Sequence, residues 1–183
     1  YPSGRNTLST LWVVSVASGE RRQLITTDGV QPAWSPHGQR IAYWGLQEGS
    51  SRRDLWSVAA GGGEPVRITD DAAVDWSPAW SPDGRYLYFA SNRSGSFNLW
   101  RIGITEATGQ TIGTPEPVTV PRQGLGHLSF SADGALLAMS SNTAQSNIEA
   151  LSFDPLRETV GPRRKITNSS ENTLGSSVSR DGK

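Results

Sequence analysis

Cysteine is absent from the 183 residues, so the chain has no disulfide framework, no thiolate metal site and no cysteine nucleophile. No apolar run approaches the roughly 20 residues that span a bilayer, so membrane insertion is not expected. The opening Tyr1-Pro2-Ser3-Gly4-Arg5-Asn6 lacks both the charged start and the apolar stretch of a signal peptide; the chain does not begin with Met and reads as clipped. Neither sign of charge is in excess, with 17 basic and 17 acidic residues. A nucleic-acid binder carries a basic surplus, so direct nucleic-acid binding by this segment is not expected. Histidine occurs only at His37 and His127, and neither a Gly-x-Ser-x-Gly elbow nor a phosphate-binding glycine loop is present.

What the chain does hold is punctuation. Its 20 glycines and 11 prolines fall at intervals between short apolar stretches, and 35% of residues are hydrophobic, seven of them Trp. That composition folds, and it folds as many short elements joined by tight turns.

Three phrases recur in one order. The first is aromatic-Ser-x-Asp-Gly: Trp34-Ser35-Pro36-His37-Gly38, Trp80-Ser81-Pro82-Asp83-Gly84, Phe130-Ser131-Ala132-Asp133-Gly134 and, with Val for the aromatic, Val178-Ser179-Arg180-Asp181-Gly182. The second is Leu-Trp, at Leu11-Trp12, Leu55-Trp56 and Leu99-Trp100, and more weakly at Ile148-Glu149. The third ends in Thr: Leu24-Ile25-Thr26, Arg67-Ile68-Thr69, Pro117-Val118-Thr119 and Lys165-Ile166-Thr167. A fixed order repeated four times is the mark of a repeat architecture.

One unit can be read physically. Pro82 presets φ for the first central position of a turn, Asp83 bonds the local backbone, and Gly84 takes the positive φ that returns the chain as a hairpin. Strand-length apolar runs follow, such as Tyr86-Leu87-Tyr88-Phe89-Ala90. Each unit is expected to be four short antiparallel strands with no helix. A sheet apolar on both faces must stack on copies of itself, and radial stacking gives a propeller. The repeated Trp and Phe are accordingly read as blade-to-blade packing. The basic runs Arg21-Arg22 and Arg163-Arg164-Lys165 are read as charges that guard a blade's outer edge.

These phrases resemble the WD-like repeats of TolB-type β-propellers, over essentially the whole chain. The resemblance implies an all-β propeller of four-stranded antiparallel blades. Such families usually have six blades, sometimes seven or eight, so an incomplete array is expected here. The phrases divide the single domain 1–183 into a partial blade 1–29, full blades 30–70, 76–120 and 126–168, and a partial blade 174–183. Further blades of the same parent chain are then its nearest partners, and a bacterial periplasmic or otherwise extracytoplasmic setting is expected, with the cytoplasm left open.

Candidate chemistry is sparse. His37 occupies the turn position that Asp83 and Asp133 take elsewhere, so it reads as a turn variant. Asp70, Asp71 and Asp75 cluster in one loop but lack the alternation of a calcium loop, so a solvated turn is expected and no metal or cofactor. Loops entering the innermost strands lie at one mouth of the channel, where recognition faces are built. They carry the candidate binding residues Asp28, Gln31, Asp71, Asp75, Trp76, Arg122 and His127. Trp76, beside Asp75, is read as either an anchor for a partner or packing on a neighbouring loop.

Two functions follow from the resemblance. One is a non-catalytic module that recognises another protein or a ligand, in a TolB-like protein or in the sensor-like array of a Ser/Thr kinase or transcriptional regulator. The other is the gating propeller of a prolyl-oligopeptidase-type serine peptidase whose catalytic domain lies outside this chain.

Overall fold

The computed structural model describes residues 9–46, 52–118, 125–141, 148–154 and 156–167. Arg122 and the partial blade expected at 174–183 lie outside the described residues. Two compact units divide the chain, 1–142 and 143–183. Among the described residues every regular element is a strand.

In the first unit, β1 (Trp12–Val14) and β2 (Arg21–Gln23) form a hairpin. Strands β3 (Val30–Trp34), β4 (Arg40–Leu46), β5 (Arg53–Ala59) and β6 (Val66–Arg67) form one antiparallel sheet in sequence order. The next sheet runs likewise through β7 (Asp75–Trp80), β8 (Tyr86–Ser91), β9 (Asn98–Ile104) and β10 (Thr111–Pro117). A hairpin of β11 (Leu125–Phe130) and β12 (Leu137–Ser141) follows. The second unit contains the hairpin β13 (Glu149–Asp154) and β14 (Thr159–Lys165). Among the described residues this is the all-β fold of open antiparallel sheets expected from the phrases, with two complete four-stranded blades in the first unit.

Strand alternation explains the stacking. Along β4, Ile41 and Tyr43 pack on Leu11 and Ile25 of the first hairpin, while Ala42 joins the cluster shared with the following sheet. Along β8, Leu87 and Phe89 face back into that cluster and Ala90 faces forward to Leu125. Successive side chains point to opposite faces, so every central strand serves two neighbours at once. Each fully buried Leu or Phe contributes roughly 2–3 kcal/mol. In the Leu-Trp phrase the Leu goes forward (Leu55, Leu99) and the Trp goes back (Trp56, Trp100). The packing role expected of the tryptophans is therefore met at five positions. Trp12 and Trp34 are each 53% exposed, whereas Trp80, the counterpart of Trp34, is 6% exposed over Ala42 and Ala33 of the preceding sheet.

The phrases are also hydrogen-bonding devices. The Ser of the turn phrase accepts the amide five residues on, at 2.9 Å from Arg40, Tyr86 and Leu136 to Ser35, Ser81 and Ser131. Its hydroxyl donates to the turn Asp, at 2.6 Å in both Ser81–Asp83 and Ser131–Asp133. Gly38, Gly84 and Gly134 take φ of 68°, 70° and 72°, as the hairpin requires. The Thr of the third phrase accepts the amide that opens the second: Leu55 to Thr69 at 3.0 Å and Ile148 to Thr167 at 2.9 Å. Outer-edge charge has a second use: Arg22 reaches over to the neighbouring sheet and donates to the carbonyls of Gly61 and Ala60.

Thr69 is buried, takes the Leu55 amide and donates to Asp75 of the next sheet. Thr69→Val keeps the shape and strips both bonds, so it is expected to lower stability by about 1–3 kcal/mol. Thr26→Val, at an exposed counterpart, is expected to stay within about 0.5 kcal/mol. Urea unfolding of the two variants side by side checks this.

Candidate functional site

The inner strands β3, β7 and β11 pack on one another in that order. Each is interrupted at one point, three residues before its turn aromatic. Gln31, Ser77 and His127 stand there with φ of 51°, 52° and 52°, and the strand register shifts across Val30/Ala33, Trp76/Ala79 and Gly126/Ser129. These are bulges with a non-glycine residue in the left-handed region, a conformation that costs on the order of 1–3 kcal/mol each. Side chains at two of these positions, Gln31 and Ser77, hold the bulge of the following sheet. Gln31 Oε1 accepts from Trp44 Nε1 at 2.6 Å and from both the amide and the hydroxyl of Ser77 at 3.2 Å. Ser77 Oγ in turn accepts the His127 amide at 3.0 Å.

The residues expected at the channel mouth take several roles. Gln31 and His127 fall in this row; Gln31 is half-buried and His127 exposed. Asp28 braces backbone, accepting the amides of Ser9 at 3.2 Å and Leu46 at 3.0 Å. Asp71 closes its own loop on the Ala73 amide at 2.9 Å and pairs with Arg93 at 3.3 Å. Asp75 and Trp76 lie in strand β7 rather than in the preceding loop, because Asp75 pairs with Ser91 and Trp76 with Ala90 ahead of the bulge. Trp76 stacks on Phe97 with ring centroids 4.4 Å apart and donates Nε1–H to the Leu125 carbonyl at 2.9 Å.

Asp75 is fully buried, and Arg93 Nη2 bridges its two oxygens at 3.1 and 3.0 Å. Burial pushes this carboxyl up, against the opposing pull of Ser91, Arg93 and Thr69. Arg93 also lies 5.2 Å from the rings of Phe89 and Trp100. The preceding blade carries a similar device: buried Asp54 receives Arg67 at 2.6 Å, Arg67 lies over Trp56, and Asp70 meets the same guanidinium at 2.7 Å. The three clustered aspartates of the 70–75 loop are thus directed at arginines. Sequence reading passed over Arg67, Arg93 and Ser77. The signal for Ser77 was available, since it stands in register with Gln31 and His127.

His37 has an unexpected partner. Its sister residues cap their own turns, Asp83 accepting Arg85 N and Asp133 accepting Ala135 N, each at 3.1 Å. In the His37 turn that carboxylate comes from the next blade. Glu106 accepts the His37 amide at 3.1 Å and meets His37 Nδ1 at 2.6 Å. Partial burial raises the Glu106 carboxyl, but hydrogen bonds from Ser35 and His37 outweigh it and hold the group below its ordinary value. Asp83 and Asp133 are held low by their serines and turn amides.

The family model of the TolB beta propeller domain matches residues 1–183. The chain is 34% identical over 101 residues to the Tol-Pal system protein TolB of Desulfosudis oleivorans, covering 51% of this chain and 22% of that protein. A solved TolB-type structure from Agrobacterium tumefaciens matches with TM-score 0.66 at 22% identity, over 88% of this chain and 57% of that one. The structure of a Mycobacterium tuberculosis puromycin-hydrolyzing peptidase matches with TM-score 0.54 at 17% identity, over 77% of this chain and 23% of that one. Likenesses at these structural identities are of fold. The chain spans between 22% and 27% of the length of the curated relatives it matches.

The borrowed turn cap makes a sign-reversing test. In the native background, His37→Asp sets a second carboxylate against Glu106 and is expected to destabilise by about 1 kcal/mol. In a Glu106→Ala background the same change restores a local cap and is expected to stabilise. A four-member urea-unfolding cycle reads the reversal. Because Glu106, Asp83 and Asp133 all titrate lower folded than unfolded, their contribution is complete above the ordinary carboxylate range. It is lost as pH falls through their depressed values, and Asp83→Asn is expected to flatten that acid limb of the stability profile.

Proposed function

This chain belongs to the TolB β-propeller family, and from that premise we propose that it works as a non-catalytic recognition module whose partner is another protein, met at the inner-strand ends. The carrying observation is the row of bulges. Three consecutive blades carry chemically different residues at one backbone position, Gln31 half-buried, Ser77 buried and His127 exposed, joined by hydrogen bonds across blades. A constant scaffold with a variable row of side chains suits selective binding. The His127 side chain is exposed, and Gln31 uses its oxygen inward while its amide nitrogen takes no part in those bonds. Bulges re-aim side chains where a surface has work to do.

The same reading takes 1–183 as one partial propeller with the blade boundaries given by its phrases, inside a longer bacterial protein. A periplasmic or otherwise extracytoplasmic setting fits the TolB relatives. The narrower alternatives are the sensor-like array of a kinase or regulator and the gate of a serine peptidase. The peptidase among the structural neighbours adds nothing to the gate, since the likeness is one of fold. The surrounding reading frame separates these: a following Gly-x-Ser-x-Gly with Asp and His marks the gate, whereas kinase or DNA-binding motifs mark the sensor.

The test is site-resolved crosslinking in the full-length protein in its own cells. A photoreactive phenylalanine at His127 is expected to yield a discrete protein adduct. The same residue at Ile112, exposed on the outer-edge strand β10, is expected to yield none. Equal adducts at both positions, or adducts at Ile112 alone, would remove the inner-strand ends as the binding face.

A further inference from the structure

We propose that the inner-strand bulges form a chain of supports running in blade order, in which the side chain of each bulge residue holds the backbone amide of the bulge in the following blade. A bulge takes one residue out of the strand ladder and leaves its N–H without a ladder partner. In a packed interior such a group must be bonded elsewhere. Here the partner comes from the neighbour. The Ser77 amide goes to Gln31 Oε1 of the preceding blade, and the His127 amide goes to Ser77 Oγ.

Two chemically unlike side chains, a carboxamide and a hydroxyl, do the same job at equivalent positions. What the position requires is therefore an acceptor oxygen at one point in space. The start of the chain is anchored within its own blade, because Trp44, paired with Val30 across β3 and β4, donates to the same Gln31 oxygen. Ser77 relays the support, since its hydroxyl donates back to Gln31 while its lone pair receives His127. Both links join parts of the first compact unit.

The left-handed backbone gives the arrangement its meaning. Gln31 and Ser77 each precede a proline, Pro32 and Pro78, and sit at φ near +50°, where side chains are disfavoured. Glycine would relieve that strain but supplies no acceptor. A side chain at this position strains its own blade and steadies the next one. The registers of β7 and β11 then each depend on the blade before.

The experiment is residue-resolved amide hydrogen exchange on the full-length protein. Ser77→Gly keeps the backbone conformation accessible and removes the hydroxyl, and with it the acceptor for His127 and the donor to Gln31. The His127 amide is expected to exchange about ten-fold faster or more, while the amide at position 77, still held by Gln31, keeps its protection. His127→Gly is expected to leave both amides as they were. Gln31→Met, which keeps the length of the side chain without its oxygen, is expected to speed exchange at Ser77 and stands in should Ser77→Gly not fold. Unchanged exchange at His127 in Ser77→Gly, or at Ser77 in Gln31→Met, would overturn the proposal. So would equal acceleration of residues 77 and 127 in Ser77→Gly, which would mean general loosening.

Discussion

A sheet with apolar residues on both faces can hide them only between two other sheets, and this demand governs the molecule. Tyr43 and Ala42, adjacent in β4, are buried against opposite neighbours, as are Phe89 and Ala90 in β8. Neither residue can move without disturbing a second blade. Interiors packed in this way respond to the loss of a single methylene. Stability therefore belongs to the interfaces, and a blade such as β3–β6 draws its core from both sides.

Polar groups have been fitted around that stacking. Tight hairpins within blades, and the connections from one blade to the next, leave amides and carbonyls that the ladders do not satisfy. Short side chains placed at fixed offsets, Ser in the turn phrase and Thr in the closing phrase, take them up. Where a carboxylate is buried, as at Asp54 and Asp75, an arginine of the same blade lies against it and an aromatic face covers the arginine. Removing one partner of such a pair would strand a charge in a site that water does not reach. Among the described residues Asp54 Oδ1 has no hydrogen-bond partner. These networks account for most acidic residues near the inner-strand ends, and they stiffen the surface on which Gln31 and His127 stand.

The fold was legible from the sequence because its determinants are local and repeated. Pro, Asp and Gly at fixed offsets dictate a turn whatever lies around it, and alternation dictates which residues meet a neighbour. The candidate site was less legible. Gln31 and His127 were visible as members of variable segments, whereas Ser77 is marked only by its place three residues before the turn aromatic, since a small hydroxyl before a proline otherwise looks like any turn residue. Asp28, Asp71 and Asp75 looked available from their spacing, yet each has a partner 18 or more residues away in chain order, Leu46 for Asp28 and Arg93 for Asp71 and Asp75.

His37 shows the division most sharply. Its place in the turn phrase was settled by the one-dimensional pattern, because a four-residue reversal depends on its own residues alone. That its missing carboxylate is supplied by Glu106, 69 positions later in the next blade, depended on two sheets arriving face to face. The residues themselves determined blade, turn and repeat. Only the stacked structure decided which polar side chains became braces within and between blades and which stayed exposed, because hydrogen bonds between blades depend on distances that no local pattern encodes.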